Sequence, residues 1–316
     1  MEMEMDREGE RLDRVLAAAC PAFSRSRLQH LIAAGHVRVN GREVRPSYRV
    51  SAGDRVVISP PPPEPTSMHP EAIPLDIFFE DDHLLVVNKP AGMAVHPAGR
   101  MWSGTLVNAL LGHCDRLSGI NGVLRSGIVH RLDKETSGLM VVAKDDLTHR
   151  GLARQFEERT TVRRYTALVW GRLPERTGRV EAPIGRHPKD RKRMAVREEG
   201  GRYAATRFEV AATCDFLSLL WVRLETGRTH QIRVHMAHIG HPVFGDPVYG
   251  GGQGRVKGVA PQFRGEARAL LKRATRQMLH AAVLGFVHPV MGETLRFEAE
   301  PPEDMREVLE QIAAIC

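Results

Sequence analysis

The sequence predicts an α+β protein: a small module of two helices and a hairpin, then a larger domain built on a mixed, mainly antiparallel sheet. Three observations predict it. Strand-like and helix-like runs do not alternate in regular βαβ units, which argues against a doubly wound parallel sheet. The proline-rich stretch 59–74, SPPPPEPTSMHPEAIP, separates two regions of different pattern, and proline runs make stiff, extended spacers. The 316 residues leave room for one large core beside a small one. The expected order is a disordered acidic tail at 1–10, a module at 11–58, the spacer at 59–74 and a main domain at 75–316.

In the module, RLDRVLAAAC (11–20) has a helical period and is stopped by Pro21. Ser26 and Gln29 stand at capping-box spacing before LQHLIAA, and Gly35 suits the end of that helix. HVRVNGREV alternates around Asn40-Gly41, a strong hairpin signal, and DRVVI supplies a further strand. In the main domain, LLVVNKP (84–90) reads as a strand and TLVNALLG (105–112) as a helix. GIVHRLDKETSGLMVVAK (127–144) reads as two apolar strands joined by a charged turn, followed by a helix at 147–159 and a strand at 164–171. SLLWVRLETG (218–227) alternates as a strand, and RTHQIRVHMAHIG (228–240) reads as a helix ending at Gly240. The glycine-rich, basic stretch 250–266 is expected to be a mobile loop. HAAVLGFVHP and ETLRFEAE read as strands and EDMREVLEQIAAI as a closing amphipathic helix.

Composition narrows the partners. Hydrophobic residues make up 42% and charged residues 26%, as in ordinary globular proteins. No apolar run approaches the roughly 18 residues that span a bilayer, and MEMEMDREGE is not a signal peptide. No membrane partner and a cytoplasmic location follow as expectations, with a monomer as the default state. Cys20, Cys114, Cys214 and Cys316 are far apart with no CxxC, so neither a cysteine zinc cluster nor a disulfide framework is expected. The net charge is +7, but residues 1–10 carry −4. Residues 11–58 hold nine arginines against three acids, and RHPKDRKRMAVR (186–197) holds six bases against one acid. Two concentrated basic segments suit a polyanion such as nucleic acid. In the module, Arg25, Arg27, Arg38, Arg42 and Arg45 lie in or near parts expected to be exposed, where they can grip a phosphate backbone.

Three groups of residues stand out in the main domain. His130-Arg131-Leu132-Asp133 places a carboxylate among bases in a turn whose fold needs none of them. It is not a kinase loop: the Asp is one place late and no GxGxxG precedes it. His235 and His238 have the spacing of helical metal ligands, but no carboxylate or Cys sits at a helical offset and Arg228 and Arg233 would repel a cation. Packing and hydrogen bonding by these histidines is the simpler expectation. Tyr165, at the start of a strand after Arg163-Arg164, is either core or a stacking surface for a base.

NKPAGMAVHP (88–97), GIVHRLDKETSGLMVVAK (127–144), RRYTALVWG (163–171), ETGRTHQIRVHMAHIGHPVFGDPVYGG (225–251) and RQMLHAAVLGFVHP (276–289) appear in that order. Together they closely resemble the RluA-type pseudouridine synthases, and among these the RluD-like large-subunit ribosomal RNA enzymes. The module at 11–58 resembles the S4 RNA-binding domain. The resemblance covers about residues 10–316, departing at Glu135, where Asp is common.

That resemblance implies isomerisation of uridine to pseudouridine in RNA, most directly 23S ribosomal RNA, after base flipping and without a cofactor. The same chemistry on transfer RNA, or RNA binding without catalysis, are the alternatives. The family's catalytic aspartate maps to Asp133, which must stay ionised to attack the sugar or to stabilise cationic charge there. Arg131 matches the arginine associated with the flipped nucleotide, and Tyr165 the tyrosine that packs on the target base. Arg233 matches the basic partner of the carboxylate. Arg233→Leu is then expected to lose turnover while the protein still folds. Lys89, His130 and His230 are expected to line the cleft without a chemical role.

Overall fold

The structure, a computed structural model, describes residues 1–20, 23, 25–60, 68–97, 101–120, 122, 126–190 and 192–315, without the side chains of 26, 27, 314 and 315. The expected stop at Pro21, the side chains of Ser26 and Arg27, the spacer residues 61–67 and Cys316 lie outside them. The chain forms two compact units, Met1–Thr66 and Ser67–Cys316.

The first unit holds β1 (Glu2–Glu4), α1 (Leu12–Ala19), α2 (Arg25–Ala33), β2 (Val37–Val39), β3 (Arg42–Glu43) and β4 (Arg55–Ile58). Its antiparallel sheet runs β1-β4-β2-β3. Asn40 and Gly41 both have positive φ, 49° and 79°, as the two-residue hairpin requires. Leu12, Leu16, Leu28, Leu31, Val37 and Val56 form its core. The acidic tail is not disordered over its first residues. Met1–Glu4 alternate apolar and acidic, β1 pairs with β4, Met5 is buried in the core, and Glu2 pairs with Arg55. A period-2 pattern, with its charge neutralised by the opposite strand, gives a strand. Of the expected capping box, the Ser26 side chain lies outside the described residues, while Gln29, within the helix Arg25–Ala33, donates to buried Asp13 at 2.5 Å.

The second unit carries β5 (Asp76–Glu80), β6 (Leu84–Lys89), α3 (Leu106–His113), β7 (Ser137–Ala143), α4 (Asp146–Glu158), β8 (Val162–Trp170), β9 (Thr177–Glu181), β10 (Ile184–Arg186), β11 (Met194–Val196), β12 (Ala205–Thr213), β13 (Leu217–Leu224), α5 (Gln231–His238), α6 (Arg264–Arg273), β14 (Leu279–Val287), β15 (Thr294–Glu298) and α7 (Glu303–Ile315). The main sheet runs β5-β6-β7-β14-β8-β13-β12-β9, with β15 added to β14. Among the described residues only the β7–β14 pairing is parallel, so the sheet is mixed and mainly antiparallel. β10 and β11 form a separate hairpin.

Every residue of β7 is buried. Alternate side chains of β6 and β7 enter two different cores. Leu85, Val87, Met140 and Val142 meet α3 through Leu106 and Leu110. Leu84, Val86, Leu139 and Val141 meet α4 through Leu152. A strand covered on both faces reads as one continuous apolar run, which is why SGLMVVA shows no alternation. Gly138 lies at φ 123°, where a β-carbon would come within 2.4 Å of the Ala281 carbonyl oxygen. The close approach of β7 to β14 therefore requires glycine at this position.

Two expectations change here. Residues 250–266 are not a loose loop: two 3-10 turns, Gln253–Gly258 and Pro261–Phe263, lead into α6. Val256 and Val259 anchor them in a core with Trp170, Phe244 and Met278. The later part of the proline-rich stretch is also docked. Met68 is buried in the main core, and the Glu71 amide donates to the Asn108 carbonyl at 3.0 Å.

His280 is buried and His130 half-buried, and both are held neutral. The Nε2–H of His280 donates to the Ala299 carbonyl at 3.1 Å, so its Nδ1 accepts from Ser137, 2.9 Å away. Burial pushes its pKa down to about 4, and burial and Arg163 push that of His130 to about 3. Both lie below the free value of about 6.5, so the unfolded chain takes up these protons first. The stability they contribute is complete above pH 6.5 and is lost as pH falls toward 4. In His280→Gln, denaturant titrations between pH 6.5 and 4 should show a shallower loss, by up to ~1.4 kcal/mol per pH unit.

Candidate active site

Asp133 sits on the segment leading into β7. The first arm of the expected hairpin is not a strand: only Ile128 bridges, to Val142. The segment is held in other ways. His130 stacks on Phe156 with centroids 4.5 Å apart, and its Nε2 accepts the Val141 amide at 3.1 Å. The Thr136 amide donates to the Asp133 carbonyl at 3.0 Å. Two buried cations grip the next carbonyls: Lys89 Nζ donates to Lys134 O at 3.1 Å and Arg276 Nη1 to Glu135 O at 3.1 Å. Lys89 also donates to the carbonyls of Pro90 and Met93, and burial lowers its pKa to about 7. A carboxylate on a turn fixed from both sides keeps one orientation.

That orientation meets Arg233 on α5. Arg233 Nη1 donates to Asp133 Oδ2 at 3.0 Å. Its Nε and Nη2 donate to the two oxygens of Asp246 at 2.7 and 3.0 Å. Burial works against the Arg233 charge, but Asp246 and then Asp133 outweigh it and raise its pKa. Arg233 is only 5% exposed and Asp246 is fully buried. The Val248 and Tyr249 amides donate to Asp246 Oδ1 at 2.8 and 3.1 Å. Gly245, at φ 77°, brings its α-carbon against the Arg276 carbonyl; a β-carbon there would lie 2.1 Å from that oxygen. The fork of Arg233 is thus filled on one side by Asp246, leaving a single N–H arm for Asp133.

Asp133, Arg131, Tyr165 and Arg233 line one cleft of about 560 Å³. Tyr165 enters from β8, and burial raises its pKa, so the phenol keeps its proton. Among the described residues Arg131, Arg159, Arg163, Arg202, Arg228 and Arg233 all line the cleft. A concave site with six guanidinium groups against two carboxylates at its wall, the ion-paired Asp133 and Glu157, suits a polyanion that inserts one unit. The structure brings together the four residues that the sequence names for this site, Asp133, Tyr165, Arg233 and Arg131. The sequence does not pick out Asp246, Tyr249, Arg159 or Arg202.

Of the two histidines at metal-ligand spacing, His235 is otherwise employed and His238 is exposed. His235 is bonded through both ring nitrogens, to Thr206 Oγ1 at 2.8 Å and to Ala182 O at 3.0 Å. His241 Nδ1 lies 2.8 Å from Trp170 O.

The chain is 46% identical to an uncharacterized RNA pseudouridine synthase of Bacillus subtilis, over 97% of this chain and 95% of the relative. The chain belongs to the RNA pseudouridylate synthase family. The family's sequence profile matches residues 83–238 of the synthase, and an S4 domain profile matches residues 10–56. It is also 49% identical to a protein named ribosomal large subunit pseudouridine synthase D in Zymomonas mobilis, over 94% of this chain and 92% of that one. Its fold resembles human RNA pseudouridylate synthase domain containing 1, with a TM-score of 0.56 and 25% identity over 80% of this chain and 96% of that one. The synthase is therefore an RNA-modifying isomerase, as its sequence suggests.

In the S4 unit, Arg38 and Arg42 are exposed. Arg25 is half committed to the fold: its guanidinium donates to Asp13 at 2.9 Å, while nearly half its side chain remains exposed. The side chain of Arg27 lies outside the described residues.

Proposed function

We propose that the synthase converts particular uridines of large-subunit ribosomal RNA to pseudouridine, with Asp133 as the catalytic carboxylate. The observation that carries this reading is the Asp133–Arg233 pair in a cleft rich in arginine. The N1–C1′ bond breaks, the uracil turns over, and C5 bonds to C1′. C5 gives up its proton and N1 gains one, so atoms and electrons balance with no cofactor. Asp133, ionised beside Arg233, attacks the sugar or stabilises the positive charge that develops there. Tyr165 packs on the turning base, and Arg131 contacts the extruded nucleotide or fills the space it leaves.

The names of the relatives support ribosomal RNA as the substrate, and the S4 unit supports an RNA partner through Arg25, Arg38 and Arg42. A monomer is the proposed state. No helix among the described residues is long and apolar enough to cross a membrane, and the cytoplasm, where ribosomal RNA is made, is the proposed place of action.

The test uses purified synthase and transcripts tritiated at uridine C5. The reading expects tritium release from large-subunit ribosomal RNA and none from transfer RNA. Release from transfer RNA alone would overturn the substrate, and release from neither would overturn the reaction.

A further inference from the structure

Tyr249 occupies a junction that the reaction as described does not use. Its hydroxyl oxygen accepts the Met194 amide at 2.9 Å and lies 2.7 Å from His230 Nδ1. Its ring lies between two guanidinium groups, Arg193 at 5.4 Å and Arg233 at 4.9 Å from the centroid. His230 Nε2 lies 3.9 Å from Asp133 Oδ1, the oxygen that Arg233 does not take. One tyrosine therefore touches both partners of Asp133.

The proton positions follow from both ends of this chain. The phenol oxygen already accepts from Met194, so its own proton is available for His230 Nδ1. At the other end, a carboxylate oxygen faces Nε2 and can only accept. An Nε2–H aims a donor at it, whereas the other tautomer would set one lone pair against another. Both constraints select the imidazole with its proton on Nε2. Burial lowers the His230 pKa, which keeps the ring neutral and the tautomer meaningful.

The backbone fits the same purpose. His230 is a non-glycine residue in the left-handed region, at φ 57° and ψ 22°, immediately before α5. Such a conformation persists only where the surroundings fix it, and it is concentrated at functional sites. It turns the ring back toward Asp133 and Tyr249.

We propose that Tyr249 is a positioning residue of the active site: its hydroxyl sets the His230 tautomer that faces Asp133, and its contact with Met194 ties that geometry to the basic hairpin β10–β11. The inference rests on Asp133 being the catalytic carboxylate. Oδ2 is held by Arg233, Oδ1 has His230 Nε2 3.9 Å away, and both of these neighbours lean on one ring. The hairpin carries Arg186, Lys189, Lys192 and Arg193 at or near its turn. The segment best suited to meet RNA phosphates is thus bonded to the network around the carboxylate.

Nitrogen NMR of the full-length protein labelled with 15N at histidine reads the tautomer directly. The expected wild-type spectrum has His230 protonated at Nε2 and unprotonated at Nδ1; a proton on Nδ1 would overturn the proposal. Tyr249→Phe keeps the ring and both cation contacts and removes only the hydroxyl. It should melt within a few degrees of wild type, since only the Met194 and His230 hydrogen bonds are lost, retain RNA affinity, and slow single-turnover isomerisation by roughly tenfold to a hundredfold. His230→Asn, a residue that tolerates the left-handed backbone, should slow it similarly, and the double variant should be no slower than His230→Asn alone. Wild-type turnover in Tyr249→Phe, or additive losses in the double variant, would overturn the proposal. Asp133→Ala measured in parallel separates the two readings: activity there sinks the site itself, whereas an inactive Asp133→Ala beside an unaffected Tyr249→Phe sinks only this inference.

Discussion

Asp133→Ala is expected to fold, to bind RNA as the wild type does, and to lose turnover by roughly 10⁴-fold or more, the scale of removing a nucleophile. The geometry explains why loss of function need not bring loss of fold. The Asp133 side chain is 17% exposed at the wall of an open cleft, so its removal leaves no sealed cavity. Arg233 keeps both of its hydrogen bonds to Asp246, so the buried charge stays paired. The turn itself is held through the carbonyls of Lys134 and Glu135. Single-turnover tritium release, with a melting curve on the same sample, reads both halves of this expectation. A rate within tenfold of wild type would remove Asp133 from the chemistry.

Arg233→Leu has the second large effect, and here the structure changes what the sequence suggests. From the motif alone, the leucine variant should fold and merely lose activity. In the structure Arg233 is the counter-ion of two carboxylates, one of them fully buried. Leucine strands the Asp246 charge with only the Val248 and Tyr249 amides to answer it. Removing one partner of a buried ion pair costs about 3–5 kcal/mol. For a domain of this size that lowers the melting temperature by roughly 10 °C. Arg233→Lys keeps a charge near both acids but cannot reproduce the fork. It should melt closer to wild type while still turning over slowly. Equal melting temperatures for Arg233→Leu and wild type would mean that the Asp246 pair does not support the fold.

Much of this architecture is legible from local pattern. α4 and α7 show their period, Asn40-Gly41 marks the hairpin, and the apolar runs of β6, β7 and β14 announce buried strands. The order of those strands is not legible. β14 lies between β7 and β8, far away in sequence, and the tight contact at Gly138 is a property of the assembled sheet. β1 carries a clear alternation, but five acids in ten residues suggest a solvated tail, and only the opposed Arg55 shows why it pairs. The glycines of 250–266 outweigh Val256 and Val259 in a composition-based reading, whereas burial of those two valines decides the structure.

The site divides in the same way. Asp133, Arg131, Tyr165 and Arg233 belong to recognisable motifs, and all four line the cleft. Asp246 and Tyr249 lie in the run HPVFGDPVYGG, the end of one such motif, where no local pattern singles them out. One signal was available: an arginine on the inward face of a helix needs a full set of acceptors, and a single aspartate cannot fill its fork. Such an arginine needs a second carboxylate, which local pattern does not identify. The role of His230 depends on a left-handed backbone and on a hydroxyl 19 residues away, and neither is encoded in local pattern.

The most direct test of the central claim is pseudouridine mapping of total RNA from cells that lack the native protein and express either the wild type or Asp133→Ala. The account predicts that particular large-subunit ribosomal RNA positions carry pseudouridine with the wild type and uridine with the variant, all other RNAs being unchanged. The same positions modified in both strains would contradict it.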